Sequence, residues 1–407
     1  MNKRNNISIG YKPSPFGLIP SDWEIQEFGE FAEVEKGKYK PSETEHLRCI
    51  ELEHLEQGTG NILGWVNSSE QKSTKNVFKK GQVLFGKLRP YLQKYWLAEF
   101  DGVCSSEIWV LKSKNIKCSN EFLFRIIQHN HFIQVANVSS GSKMPRADWD
   151  YVSSFPFPLP TSAEQNAITK LLNFWDKAIH TTMELVTQKE KRKKWLMQQL
   201  LTGKKRLEGF DKEWRKIHVS DIAEEVSIKN KNGNDLIVLS CTKYDGLVPS
   251  LEYFGRKIFA DDVSAYKVVP KHHFAYATNH IEEGSIGYQD NYDEALISPM
   301  YTVFKTDDSI NDHFLFKLLK SHHLIHEFNA RMEGSIDRRG GLRWDAFSII
   351  KIQIPSLEEQ TAIINVLKKA DKEIQIFKSQ VDHLKEQKKG LMQQLLTGKK
   401  RLLTKTI

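Results

Sequence analysis

The sequence predicts a mixed α+β chain with an internal pseudo-two-fold duplication: two α/β globular units joined by a long antiparallel two-helix coiled coil. Three observations predict it. Residues 196–207, Leu-Met-Gln-Gln-Leu-Leu-Thr-Gly-Lys-Lys-Arg-Leu, return letter for letter at 391–402. A separation of 195 residues is far beyond the period of a solenoid, about 20–50 residues, so it marks two large halves closed by the same helix. Upstream of each copy, apolar residues step by four and three over about 40 positions, the spacing of a coiled-coil seam. Ahead of each helix, strand-like and helix-like runs mix without a βαβ rhythm, which excludes a Rossmann domain.

The duplication reaches back through each half. Pro160-Thr161-Ser162-Ala163-Glu164-Gln165 lines up with Pro355-Ser356-Leu357-Glu358-Glu359-Gln360, and Trp23 answers Trp214. Phe122-Leu123-Phe124-Arg125 answers Phe314-Leu315-Phe316-Lys317, Gly141-Ser142 answers Gly334-Ser335, and Trp149-Asp150 answers Trp344-Asp345. The offset drifts only from 191 to 195, so short loops alone differ in length.

Each long helix is expected to open with a capping box, Thr161 with Glu164 and Ser356 with Glu359, the hydroxyl and the carboxylate serving each other's end of the first turn. The first seam runs Ile168, Leu172, Trp175, Ile179, polar Thr182, Val186, polar Lys189 and Lys193, Leu196 and Leu200. The second runs Ile363, Leu367, Ala370, Ile374, Phe377, Val381, Leu384, polar Lys388, Leu391 and Leu395. Thr202-Gly203 and Thr397-Gly398 suit helix ends, glycine being the usual C-terminal cap. The first helix delivers the chain to the second unit and the second returns along it, so the pair is expected to be antiparallel. A basic run, 189–206 with its counterpart 385–401, suits a solvated face, a phosphate backbone or an acidic partner.

The globular units are expected to share strands at 83–85 and 108–111, then 274–276 and 301–304, followed by helical runs at 121–134 and 312–326. Between these landmarks their loops diverge. The first unit carries Lys87, Arg89 and Tyr91 after its first strand, and Lys143 and Arg146 after its helix. The second carries Asn279 and His280, then Arg338 and Arg339. Arginine and lysine suit guanine in the major groove and asparagine suits adenine, which makes these residues the candidate DNA contacts.

The chain has 407 residues, a formal net charge of +8 and a pI near 9.0. That length gives two to three domains, and that charge favours an anionic partner. The longest apolar runs fall short of the roughly 18 residues a membrane span needs, and the polar start is unlike a signal peptide. Four scattered cysteines, Cys49, Cys104, Cys118 and Cys241, suggest neither disulfides nor zinc and fit the cytoplasm. No phosphate-binding loop, Rossmann glycine fingerprint or methyltransferase motif is present; Gly58-Thr59-Gly60 with Gly64 has the wrong spacing. No catalytic residue and no metal site is expected, and the adjacent pairs His272-His273 and His322-His323 suit a metal poorly.

The Trp-opened units, the Pro-(Ser/Thr)-x-x-Glu-Gln-x-Ala-Ile helix starts and the duplicated Leu-Leu-Thr-Gly-Lys ends together resemble the specificity subunit of type I restriction-modification systems over essentially the whole chain. The resemblance implies an N-terminal segment 1–20, target recognition domains at 21–160 and 208–355, a central spacer helix at 161–207, and a C-terminal helix and tail at 356–407. It implies that each domain reads half of a split duplex site. It also implies that the spacer docks two methyltransferase subunits, with restriction/translocase subunits beyond them. S-adenosylmethionine, ATP and Mg2+ would then sit on those partners and none on this chain. The alternative is a scaffold, two modules on a rod that binds proteins and never touches DNA.

Overall fold

In the computed structural model the runs expected as strands in the first half, Val83–Gly86 and Ile108–Ser113, pair antiparallel with Trp109 opposite Phe85 and Val110 opposite Leu84. The structure describes residues 10–138, 144–231, 233–333 and 341–402. It falls into two units, 1–183 with 379–407, and 184–378. The division lies inside the two long helices, Ser162–Leu200 and Leu357–Leu395. Each unit therefore owns the start of one helix and the end of the other.

Unit one is built on a four-stranded antiparallel sheet in the order Tyr95–Leu97, Val83–Gly86, Ile108–Ser113, Ala32–Val34. Successive side chains of a strand point to opposite faces, and both faces here are covered. Val83, Phe85 and Leu111 pack with the helices Asn120–Gln128 and Asn130–Ala136, whereas Leu84, Ile108 and Val110 pack towards a five-stranded second sheet. Double burial is why these strands read as continuous apolar runs.

Unit two repeats the frame. Its sheet runs Ile286–Gln289, His273–Ala277, Tyr301–Thr306, Ala223–Val226, the same order strand for strand. Phe274, Tyr276 and Phe304 face the helices, while Ala275 and Val303 face the other way. The second layer has diverged: here it is two separate pairs, Lys267–Pro270 with Glu294–Ile297, and Leu239–Thr242 with Gly246–Pro249. One expectation needs correcting in both halves. The helical runs at 121–134 and 312–326 are each broken into two helices, at His129 and at 320–321. His129 is extended (φ −74°, ψ 139°), and its ring accepts from the His131 N–H to start the next helix.

Every apolar seam position is buried or half-buried in its own unit, whereas Phe174, Trp195 and Ile376, off the seam, are exposed. Ile168 and Leu172 share a core with Met392, Leu395 and Leu396 in unit one; Ile363 and Leu367 share one with Leu200 and Leu201 in unit two. The helix segments are thus antiparallel within each unit. The lysines of the seam form ion pairs, whereas Thr182 donates to the Ala178 carbonyl of its own helix at 2.8 Å. Lys388 binds Asp176 in unit one and Lys193 binds Asp371 in unit two, the same pair at the 195-residue offset. Asp176 also receives Arg125 at 2.7 Å, and Lys189 adds a bond to Glu373 at 2.5 Å. Part of the basic run is therefore spent on the seam.

The helix starts differ from a capping box. Thr161 and Ser356 do accept the N–H groups of Glu164 and Glu359, each at 3.4 Å. The glutamates turn the other way. Glu164, 1% exposed, accepts Trp23 Nε1 at 2.9 Å and Arg401 Nη2 at 2.7 Å. Glu359, equally buried, accepts Arg206 Nε and Nη2 at 2.6 and 2.7 Å, and that guanidinium lies over the Trp214 ring. Arg206 and Arg401 belong to the identical twelve-residue ends. A two-bond arginine satisfies each buried carboxylate with charge-assisted hydrogen bonds. Gln165 and Gln360, next in sequence, each donate to the proline carbonyl before the helix at 3.0 Å.

Gly203 and Gly398 both have φ of +68°, the left-handed region glycine supplies without strain. A Cβ at Gly398 would also overlap Pro20 and press on Trp23, whereas one at the helical Gly390 would meet nothing. Gly398→Ala is expected to lower stability by about 1–3 kcal/mol. Gly390→Ala is expected to raise it by up to about 1 kcal/mol. Thermal melts of the two variants beside wild type check the opposite signs.

Candidate nucleic-acid interface

The strand Val83–Gly86 of unit one passes straight into the tip that carries Lys87, Arg89 and Tyr91. Two residues of this tip, Arg89 (φ +53°) and Gln93 (φ +51°), are left-handed without being glycine, an uncommon state that surrounding contacts must hold. They bracket the turn Pro90–Leu92. Pro90 is buried as its anchor, while Tyr91 and Arg89 are exposed and Lys87 is half-buried. The two tips expected from the sequence come together. Arg89 N–H donates to Pro145 O and Ala147 N–H to Lys87 O, both at 2.8 Å, and Leu88 bridges Arg146. Arg146 is exposed and its Nε donates to Glu107 at 3.0 Å. Lys143 lies outside the described residues.

Unit two makes the same junction with other chemistry. Leu342 N–H donates to Thr278 O at 2.7 Å, the counterpart of Ala147 on Lys87. Asn279 and His280 are exposed ahead of the turn Ile281–Glu283, and His280 Nδ1 lies 3.5 Å from Glu283. His280, Glu282 and Glu283 hold their ligand atoms within 4.8 Å of one another, a grouping that acidic turns form without an ion. Arg338 and Arg339 lie outside the described residues. Among the described residues this tip is acidic where that of unit one is basic.

A third loop beside each tip was not picked out from the sequence. In unit one it is the turn at 56–61: Gly58 N–H donates to Gln93 O at 3.0 Å and Gln57 bridges Lys94. In unit two it is the turn between Leu239–Thr242 and Gly246–Pro249, whose Lys243 carbonyl would lie 3.6 Å from a Cβ at Gly284. Both turns press a left-handed glycine on the equivalent phenylalanine of the first helix: Gly60 on Phe124, Gly246 on Phe316. The signals were Gly58-Thr59-Gly60 and Asp245-Gly246, turn sequences that stand beside the tips only once the sheet is formed.

Two equivalent frames, each with a cluster of loops of unlike chemistry, are matched by one family. The profile described as "Type I restriction modification DNA specificity domain" matches twice, over residues 20–188 and 212–386. The chain belongs to this family. Among relatives of this specificity subunit, the MjaVIII specificity subunit of Methanocaldococcus jannaschii is 25% identical over 94% of both chains. The EcoDI specificity subunit of Escherichia coli is 31% identical over 37% of this chain and 34% of its own length. The fold is similar to that of a chain in a solved type I restriction-modification system (TM-score 0.63, 18% identity, 93% and 99% of the two chains covered). It is similar as well to the HsdS subunit of Thermoanaerobacter tengcongensis (0.55, 19%, 93% and 98%).

The titratable groups buried in the specificity subunit are tuned for structure. Burial pushes the thiols of Cys49, Cys118 and Cys241 up to about 12 and that of Cys104 further, away from nucleophilic thiolate. Among the described residues no helix is long and apolar enough to cross a membrane. Burial lowers His129 to about 4. Between the ordinary histidine range, about 6.5, and that value the unfolded chain binds a proton the folded chain refuses, so stability falls as pH falls. His129→Asn keeps a side-chain acceptor for the next helix and removes the proton. The melting temperature of wild type is expected to drop more steeply from pH 7 to 5 than that of the variant, which a pH series of melts reads directly.

Proposed function

We propose that this subunit reads a split duplex site, one half with residues 21–160 and the other with 208–355. The spacer helices, 161–207 and 356–407, hold the gap and dock two methyltransferase subunits. The observation that carries the reading is the pair of matching loop clusters on one conserved frame, basic in unit one (Lys87, Arg89, Arg146) and carrying Asn279 and His280 in unit two. A scaffold that only bound proteins would have no use for two such clusters of differing polarity. The chain itself catalyses nothing in this reading. Adenine methylation with S-adenosylmethionine, and ATP- and Mg2+-dependent cleavage, belong to the partner methyltransferase and restriction/translocase chains in the cytoplasm. The duplicated helix segments offer the methyltransferase the same kind of surface twice, which supports two copies.

Base reading is tested by methylome sequencing of cells carrying Arg89→Ala or Asn279→Ala. Each is expected to relax one half-site and leave the other intact, since a wrong base pair costs about 1–3 kcal/mol locally. Both half-sites changing together in either variant would sink the assignment.

The spacer is tested separately. Leu201 is buried against unit two, so lengthening must spare the helix ends. One seam-preserving heptad after Glu184 and another after Ser379, equivalent points at the 195-residue offset, add about 10 Å. At roughly 3.4 Å per base pair the methylated site is expected to keep both half-sites and gain about three base pairs between them. Altered half-sites with the old gap would refute it.

A further inference from the structure

The turn beside the unit-two tip holds Tyr244, 79% exposed, more than any other Phe, Trp or Tyr among the described residues. The turn around it is tightly held. Asp245 N–H donates to Thr242 Oγ1 at 3.0 Å, and Thr242 Oγ1 donates to Gly246 O at 3.3 Å. Lys320 Nζ donates to Lys243 O at 3.0 Å. Gly246 is left-handed, and the hairpin packs so closely on the next strand that a Cβ at Gly287 would lie 2.5 Å from Leu247 N. Lys243 Nζ lies 5.5 Å from the centre of the Tyr244 ring. An aromatic ring at this exposure adds little to its own core, yet the fold fixes the backbone that presents it.

Equivalence with unit one sharpens the point. Gly60 on Phe124 matches Gly246 on Phe316, so Gln57-Gly58-Thr59 occupies the place of Lys243-Tyr244-Asp245. The frame keeps the turn and changes what it carries, as it does at the two other tips. In unit two Glu282 and Glu283 follow His280 in the tip, and the ammonium of Lys243 on the neighbouring turn brings opposite charge to the same cluster.

We propose that Lys243 and Tyr244 contact duplex DNA at the second half-site, the ammonium on a phosphate and the ring against a base step or sugar. This rests on the reading of unit two as a half-site reader. Aromatic and apolar side chains wedge at base steps, and a pre-ordered loop loses little freedom on binding.

The test uses the specificity subunit assembled with its methyltransferase subunits and a short duplex carrying the site its methylome defines, in a salt series. Tyr244→Ala is expected to weaken binding at least about tenfold and relax the second half-site only. Lys243→Ala is expected to flatten the log–log salt slope by about 0.9. An unchanged melting temperature shows that neither variant unfolds the hairpin. Arg89→Ala, in unit one, is the control. If it weakens binding while Tyr244→Ala and Lys243→Ala bind as wild type with both half-sites intact, this inference falls and the half-site reading stands. If none of the three alters binding, both fall.

Discussion

The buried carboxylate at the start of each long helix is the constraint on which the rest depends. Glu164 and Glu359 are buried from water, and each is paired by an arginine from just beyond the end of the other long helix, Arg401 and Arg206. Removing one partner of such a pair typically costs about 3–5 kcal/mol, since the remaining charge is stranded. The clamp therefore does more than bind. It ties each unit to the segment that follows the other long helix, 237 residues away in unit one and 153 residues away in unit two. It also explains the twelve-residue identity. Leu395, Leu396, Gly398 and Arg401 meet Trp23 and Glu164, while Leu200, Leu201, Gly203 and Arg206 meet Trp214 and Glu359. Both ends meet the same surface, so both keep the same letters.

The seam obeys a related logic. Apolar seams tolerate slippage, because one leucine is much like another, and buried polar partners fix register in coiled coils. Lys388 with Asp176 and Lys193 with Asp371 place a half-buried ion pair of this kind in each unit, and each lies beside the neighbouring helix of its unit. Arg125 meets Asp176 directly, while Asp371 offsets part of the burial that lowers Lys317, the equivalent residue. Within each unit, the register of its helix segments and its seating on them are thus decided at the same carboxylate.

Much of this was legible in the sequence because duplication reveals what one copy hides. The long helices, their seam and the strands at 83–86 and 273–277 follow from period and apolar runs. The glutamates were misread as caps for a physical reason: the pattern Ser/Thr-x-x-Glu is local, whereas the arginine that captures the carboxylate is remote in sequence. The breaks at His129 and 320–321 carry neither glycine nor proline, so helical periodicity ran over them. Of the candidate contacts, the sequence isolated Lys87, Arg89, Arg146, Asn279 and His280 by their divergence between halves. It did not show that the tips at 87–91 and 145–147 join by backbone bonds, nor that the 56–61 and 243–245 turns stand beside them, since those are properties of strand pairing.

The frame and its loops divide stability from specificity. Backbone groups make the loop junctions: Ala147 to Lys87, Leu342 to Thr278, Gly58 to Gln93. Side chains at those positions are then free to change without loss of the junction, which is how lysine in one unit can stand where threonine stands in the other. The limit is conformational. Gln93 in unit one and Gly284 in unit two are both left-handed. The first takes that shape at some cost and the second freely. A change of loop sequence is therefore cheap wherever the shape suits any residue, and confined to glycine, asparagine or a well-braced side chain at these turns. On the proposed reading, diversity of recognition rests on exposed side chains such as Arg89 and Tyr244, on a backbone whose own hydrogen bonds leave it little room to move.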